Sequence, residues 1–351
     1  MQKRKINSVS YEEEKYIREC FKLALKGESY VSPNPMVGCI IVKDNKIIGK
    51  GYHLTYGAAH AEAVAINDAL KKGHDLRGAS LYVNLEPCAF FGKTPPCTDL
   101  IISNKIKNVF IGIKDPNPLV NGRGIKKLLD AGINVKYDIL KNESAELNKY
   151  FIKSVKHHIP YISLKVAQSL DGKIALKNFS SKWITNEKSR EYVKFLRRKY
   201  DAVLIGHNTA VKDNPSLLPE KTAEKIPFRI ILTDKPGELP QDMKLLSDRY
   251  YEKTILISTE INKHSFVKFL KYLHTLNISK ILVEGGAFVF SKFLEFNLFD
   301  DLYLFTADKI LGTGISSFEY FEIFSLKKSV SLKLKYSERF DDNLLQYFTK
   351  I

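Results

Sequence analysis

Apolar and polar positions along this chain recur with two periods, and the switches between them mark its elements. Ser10-Tyr11-Glu12-Glu13 is a helix-start pattern, in which Ser10 and Glu13 can satisfy each other's backbone amides. Ile17, Cys20, Phe21 and Ala24 follow at helical spacing, and Gly27 is the stop. Residues 37–42 and 47–52 read as strands joined by a turn at Lys43-Asp44-Asn45-Lys46. A helix beginning near His60 carries Ala65, Ile66, Ala69 and Leu70 on one side and ends at Gly73. Putting His60 in its first turn presents the imidazole at a helix end. Residues 80–85 form a strand, and Pro96 starts a helix holding Cys97, Leu100 and Ile101. Strands at 109–113 and 133–137 flank a helix at 125–131, and a helix from about 143 to 157 follows. Helices interleaved with strands predict a layered α/β domain around a central sheet.

His157-His158-Ile159-Pro160 punctuates the pattern and reads as a linker, dividing the chain into residues 1–157 and 158–351. The second half is again α/β. Strands are expected at 161–168, 201–206, 229–233, 253–258 and 281–286, with helices around Tyr192-Leu196 and over 288–296. Asp171-Gly172 is a turn, and the strand ending Glu284-Gly285-Gly286 stops in a turn whose amides suit a phosphate.

The chain has 351 residues, enough for two domains of ordinary size, and 44% of them are apolar. Its N-terminus, Met1-Gln2-Lys3-Arg4-Lys5, has no apolar run behind it, and no run of 18 apolar residues occurs. A cytoplasmic protein without membrane contact is expected. The four cysteines are too few for a disulfide framework. Cys20 and Cys39 fall on apolar faces and read as core. The formal charge of +16 admits a nucleic-acid partner, but the lysines are scattered among acids. An anionic small substrate explains the sign equally well, and no nucleic acid is expected. The sequence leaves the oligomeric state open, a homo-oligomer included.

The chemistry concentrates between His60 and Cys97. His60-Ala61-Glu62 is followed by Pro87-Cys88 and then by Pro96-Cys97. One imidazole and two thiols fill three corners of a tetrahedral zinc site and leave the fourth for water, as a catalytic site requires. Thiols near a helix N-terminus favour the thiolate that a metal needs. Glu62, two residues from His60, need not reach the metal and is placed to shuttle protons. This His-x-Glu and Pro-Cys pattern is the signature of zinc deaminases.

The longer run is more specific. Asn34-Pro-Met-Val-Gly-Cys39, Gly51-Tyr-His53, His60-Ala-Glu62, Leu85-Glu-Pro-Cys88, Gly92-Lys93-Thr-Pro-Pro-Cys97 and Asp115-Pro-Asn117 resemble the deaminase domain of the bifunctional riboflavin biosynthesis deaminase/reductase. Eight residues separate the two cysteines; nucleoside and transfer-RNA deaminases typically have two there. The resemblance implies a cytidine-deaminase-like domain that removes the 2-amino group of a diaminopyrimidinone carrying a ribosylamino phosphate. Asn34 and His53 would hold the pyrimidine or ribose, and Lys93 the phosphate. This chain departs from the family at Ala89-Phe90-Phe91, where Ser-His is usual.

From about residue 160 the pieces resemble the reductase domain of the same enzyme, which has a dihydrofolate-reductase-like fold. That implies NADPH-dependent reduction of the ribosyl group to ribityl. Carried over by position, Ala167, Trp183, Thr209, Asp213, Gly285 and Gly286 would serve the cofactor. Lys165, Ser181, Arg197, Leu217 and Glu284 would meet the substrate, with Arg197 taking the phosphate in a two-pronged grip. The family's second phosphate-binding Arg is missing. Leu218-Pro219-Glu220 stands in its place, so either Lys221 or Arg229 re-supplies the contact or the reductase is weakened.

The expected protein is therefore an α/β enzyme of riboflavin biosynthesis that uses Zn2+ and NADPH on a small phosphorylated pyrimidine. The alternative is a zinc deaminase acting on another nucleotide or nucleic-acid base, with a weakened or non-catalytic second domain.

Overall fold

In the computed structural model the chain divides between His157 and His158 into two units. The structure describes residues 9–91, 95–118, 120–221, 223–258, 260 and 262–351.

The first unit runs α1 (Tyr11–Ala24), β1 (Gly38–Lys43), β2 (Lys46–Tyr52), α2 (Ala61–Lys71), β3 (Ser80–Leu85), α3 (Cys97–Ser103), β4 (Asn108–Ile113), α4 (Arg123–Asp130), β5 (Asn134–Lys136), α5 (Lys141–Leu147) and α6 (Lys149–His157). Its sheet has the order β2-β1-β3-β4-β5. β1 is antiparallel to β2 and β3, while β3, β4 and β5 are parallel. Alternation along the strands makes a two-sided core. Cys39 and Ile41 of β1 and Leu81 and Val83 of β3 face α2. Ile40, Val42 and Tyr82 face Tyr16, Ile17 and Cys20 of α1. Both Cys20 and Cys39 are fully buried, as a core role requires.

α2 lies directly on β2. A Cβ at Gly51 would collide with the backbone of Ala61 and Ala65, so only glycine lets the helix come this close. This contact fixes the helix start that carries His60. The α1 capping box forms in full, with Ser10 Oγ accepting from Glu13 N and Glu13 Oε2 accepting from Ser10 N. His60 is not in the first turn of α2. It is the N-cap, with extended backbone and no side-chain capping hydrogen bond. The single helix expected over 143–157 is two helices. Asn148 sits between them, and its side chain accepts from Met36 N at 2.8 Å and donates to Met36 O at 2.9 Å.

The second unit contains β6 (Tyr161–Gln168), β7 (Lys173–Ala175), α7 (Glu187–Lys199), β8 (Ala202–Gly206), α8 (His207–Asp213), β9 (Phe228–Leu232), α9 (Lys244–Ser247), β10 (Thr254–Ile257), α10 (Lys263–Thr275), β11 (Lys280–Gly285), α11 (Ala287–Glu295), β12 (Asp301–Thr306), β13 (Ile315–Ser316), β14 (Leu332–Phe340) and β15 (Asn343–Lys350). Eight strands form one sheet in the order β10-β9-β8-β11-β6-β12-β15-β14. The first six are parallel, and β15 and β14 close the sheet as an antiparallel hairpin. Ile162, Leu164 and Val166 of β6 join Phe266, Phe290 and Phe293 of α10 and α11 in one core. The opposite face of the sheet packs Leu282, Tyr303 and Tyr347 against Val193, Leu196 and Tyr200. The strand periodicity that builds this second face also delivers Lys165 and Ala167 of β6 to it.

Candidate functional site

The first unit holds a cavity of about 280 Å³ whose wall includes Asn34, His53, His60, Glu62, Cys88 and Phe90. His60 Nδ1 lies 3.6 Å from Cys88 Sγ and 3.3 Å from Cys97 Sγ. The three ligand atoms lie within 4.8 Å of one another. Cys97 opens α3, and its N–H donates to Cys88 Sγ at 3.4 Å. Both sulfurs thus share a helix N-terminus. Hydrogen bonds from Cys97 and His60 pull the Cys88 thiol well below the ordinary thiol range, whereas the Cys88 sulfur and burial push Cys97 up. The hydrogen bond to Cys88 raises His60. One thiolate is already favoured before any cation arrives, so the donor set fits a divalent metal that prefers nitrogen and sulfur.

Glu62 is 3% exposed, and burial raises its carboxyl above the usual range. His53 is also buried, which lowers its imidazole. Its Nδ1 faces Ala59 O at 3.1 Å and its Nε2 faces the Asn34 amide nitrogen at 3.1 Å. A neutral ring donating to Ala59 and accepting from Asn34 satisfies both contacts. Both ring nitrogens are therefore occupied within the protein, and His53 orients Asn34. Lys93 lies outside the described residues.

Further contributors to this cavity had not been assigned from the sequence. Asp115 and Asn117 line it, although the Asp-Pro-Asn run was visible as a motif. Burial pushes Asp115 up to about 7. Phe151 reaches the cavity from α6, the helix that begins after the break at Asn148. Glu86 anchors Asp115, Gly122 and Ile125. Its carboxylate accepts from Asp115 N at 3.3 Å, Gly122 N at 2.9 Å and Ile125 N at 3.1 Å.

In the second unit a cavity of about 580 Å³ adjoins one of about 410 Å³, and both are lined by Ser181, Thr209, Asp213 and Gly286. They open at the carboxyl ends of parallel strands, the usual ligand position in an α/β sheet. Thr209 packs over Gly285 and Gly286, and a Cβ on either glycine would stand 3.1–3.2 Å from Thr209 Oγ1. Gly286 caps α11 without any side-chain hydrogen bond, leaving amides at the cavity wall. Ser181 Oγ donates to Asp213 Oδ1 at 3.1 Å.

Glu284 joins two expected substrate residues. Arg197 Nε and Nη2 donate to its two carboxylate oxygens at 2.6 and 2.9 Å, and Lys165 Nζ lies 3.7 Å away. Burial alone would raise Glu284, but the charges of Arg197 and Lys165 outweigh it and hold the carboxyl low. Burial lowers Lys165, and Glu284 offsets only part of that.

Two expectations need correction. Arg197 is not held ready for phosphate alone, because Glu284 engages Nε and Nη2 and Leu218 O accepts from Nη1 at 3.0 Å. Arg229 cannot replace the missing Arg. It is fully buried and bound to Asp248, Leu245 O and Tyr250 O. Glu220 pairs with Arg198 at 3.0 Å. Trp183 is 62% exposed and lines the larger cavity, with the Arg190 guanidinium 4.4 Å over its ring. Ala167 and Leu217 line the larger cavity.

The comparisons with known proteins follow this division. Residues 10–113 match the cytidine and deoxycytidylate deaminase zinc-binding region, and residues 160–345 match the RibD C-terminal domain. The chain is thus of the class that joins a zinc-binding deaminase domain to a reductase domain. The riboflavin biosynthesis protein RibD of Aquifex aeolicus is 40% identical over 352 residues, covering 95% of this chain and 98% of that protein. That of Escherichia coli is 35% identical over 330 residues, covering 86% and 89%. The crystal structure of a diaminohydroxyphosphoribosylaminopyrimidine deaminase/5-amino-6-(5-phosphoribosylamino)uracil reductase from Thermotoga maritima is 38% identical. It has a TM-score of 0.87 and covers 97% of this chain and 99% of that one. The chain belongs to the RibD family of riboflavin biosynthesis proteins. It is a bifunctional enzyme with a zinc-binding deaminase half and a reductase half of the NADPH-using kind. No helix among the described residues is long and apolar enough to cross a membrane.

Proposed function

We propose that the first unit hydrolytically deaminates diaminohydroxyphosphoribosylaminopyrimidine and that the second reduces 5-amino-6-(5-phosphoribosylamino)uracil. The reading is carried by one observation, the gathering of His60, Cys88 and Cys97 at a cavity that a buried Glu62 also lines. The likeness to the Thermotoga maritima enzyme supports the substrate.

His60, Cys88 and Cys97 hold the zinc, which when bound supplies Lewis-acid activation of water. Glu62 takes a proton at its carboxylate and returns it to the ring nitrogen and the leaving amine. Water attack and loss of ammonia convert the C–NH2 group into the uracil carbonyl. Asn34, oriented by His53, positions the pyrimidine, and Lys93 meets its phosphate.

In the second unit Ala167, Trp183, Thr209, Asp213, Gly285 and Gly286 hold the cofactor, which supplies a hydride. Lys165, Ser181, Leu217 and Glu284 face the sugar and the pyrimidine, and Arg197 fixes the Glu284 carboxylate. Reduction at C1′ of the ring-opened sugar gives the ribitylamino product, with NADPH oxidised and one proton taken up.

The test follows ammonia and NADPH together in zinc-loaded protein given the diaminopyrimidine substrate. Ammonia release followed by NADPH oxidation is expected. Zinc-replete protein that releases no ammonia would overturn the substrate and favour a deaminase of another base.

A further inference from the structure

The larger cavity of the second unit carries two cations that the fold engages weakly or, among the described residues, not at all. Six cationic side chains line it, Lys165, Lys182, Arg190, Lys194, Arg197 and Lys244, against Glu187, Glu191, Asp213 and Glu284. Four of the six are committed. Lys165 and Arg197 are bound to Glu284. Arg190 donates to Thr185 O at 2.7 Å and lies 4.4 Å over the Trp183 ring. Lys182 Nζ donates to Asp213 O at 3.0 Å.

Lys194 and Lys244 remain. Arg190, Lys194 and Arg197 recur at i, i+4 and i+7, so they share one face of α7. Lys194 approaches only Glu191 on the same helix, at 3.6 Å. Both partners are half exposed, and such a pair contributes little. Lys244 is anchored through its backbone, whose N–H donates to Asn214 Oδ1 at 2.9 Å. Its ammonium has no hydrogen bond or ion pair among the described residues. A mobile ammonium is a point charge suited to an anion.

We infer that Lys194 and Lys244 hold the terminal phosphate of the reductase substrate, an inference that rests on reading the second unit as reducing a phosphoribosyl compound. Two phosphate sources meet these cavities, the substrate and the dinucleotide. The cofactor's phosphates have the open amides of α11 in the adjoining cavity, which neither lysine lines. Arg197 and Arg229 are already bound within the fold, so these lysines take the role that their forks leave vacant.

The experiment measures kcat/KM of the full-length, zinc-loaded protein with the phosphoribosylamino uracil and with its dephosphorylated form. Lys194→Ala, Lys244→Ala and the double variant are compared with Lys188→Ala. Lys188 is on the same helix, outside the cavity, and pairs with Asp341 at 2.6 Å. Each cavity substitution is expected to lower kcat/KM for the phosphorylated substrate about tenfold through KM. The dephosphorylated substrate, the KM for NADPH and Lys188→Ala are expected to show no change, and Lys194→Arg to restore most of the loss. Equal losses on both substrates, or a raised KM for NADPH, would overturn the assignment. Wild-type turnover with unmoved variants would sink the lysines alone. A wild type that oxidises no NADPH with either substrate would sink the reading of the second unit as well.

Discussion

Each unit buries carboxylates at its site, and the two solve the cost of burial in opposite ways. In the first unit no cationic side chain among the described residues outweighs burial at Glu62 or Asp115, and both are raised. In the second, Arg197 and Lys165 close on Glu284 and hold it low. Burial favours the neutral form of an acid unless an opposite charge repays the lost solvation. The first site therefore holds carboxyls whose charged form burial disfavours. The second is built around a fixed ion cluster that shapes a cavity. A second contrast accompanies this one. The candidate metal ligands and Glu62 come from one stretch between His60 and Cys97, whereas Lys165, Arg197 and Glu284 come from three elements far apart in the chain.

The contrast is broken hardest at the metal. Stripping zinc with a chelator, or replacing Cys97 with Ser, is expected to abolish ammonia release. Oxidation of NADPH with supplied aminouracil substrate should continue, because no residue of the three-ligand cluster lies in the second unit. Parallel loss of both activities would show that the two units are not separable. Glu62→Gln keeps the shape of the side chain and removes its proton chemistry. It should retain zinc, as measured by metal analysis, and lose about 10²–10⁴-fold in deamination rate. Loss of zinc in that variant would instead make Glu62 a ligand.

How much of this was legible from sequence follows the same line. Strand and helix periodicity disclosed most of the first unit, because its hydrophobic alternation is local and its turns carry Gly, Pro or Asn-Lys signals. The cluster at His60 was legible because three ligands and the acid fall within 38 residues. Its true placement was not. His60 as N-cap rather than first-turn residue depends on α2 sitting on Gly51, a contact between distant elements. The resemblance brought Arg197 and Glu284 to the same substrate but could not show that they bind each other. That meeting depends on the order of β11 beside β6 and on α7 packing across them. The strands β12, β14 and β15 escaped the sequence reading. β14 is largely exposed and polar, so it lacks the apolar run that marks a buried strand. Its pairing with β15 is set by the sheet edge it completes.

The ion cluster predicts the next largest effect, on stability more than on chemistry. Arg197→Ala leaves Glu284 buried with only Lys165 at 3.7 Å. Removing one partner of a buried pair typically costs about 3–5 kcal/mol. Denaturation followed by hydrogen exchange should show that loss in residues 158–351, with residues 1–157 unchanged. Equal destabilisation of both units would contradict the division of the chain. An undisturbed second unit would mean that the pair is not worth its geometry.

The smallest effect tests the carboxylates against each other through pH. Asp115 titrates in the folded chain near 7, against an ordinary value of 3.8, because burial disfavours its charge. Between those two pH values the folded state keeps a proton that the unfolded chain has released. Its contribution to stability is therefore full below about pH 4 and declines as pH rises towards 7. Glu284 has the opposite sign. Its folded form is held below 4.5, so its contribution is full above that value and is lost as pH falls through the lowered value. Asp115→Asn keeps an oxygen to accept from Asn117 N, which Asp115 Oδ1 accepts at 2.8 Å, and removes the titration. The variant should match the wild type near pH 4 and exceed it above pH 7 by roughly 1–4 kcal/mol. Urea denaturation of metal-free protein across that range measures the difference, with the metal ligands common to both proteins. A difference that is flat with pH would show that Asp115 is ionised in the fold. The raised carboxyls of the first site would then come down to Glu62 alone.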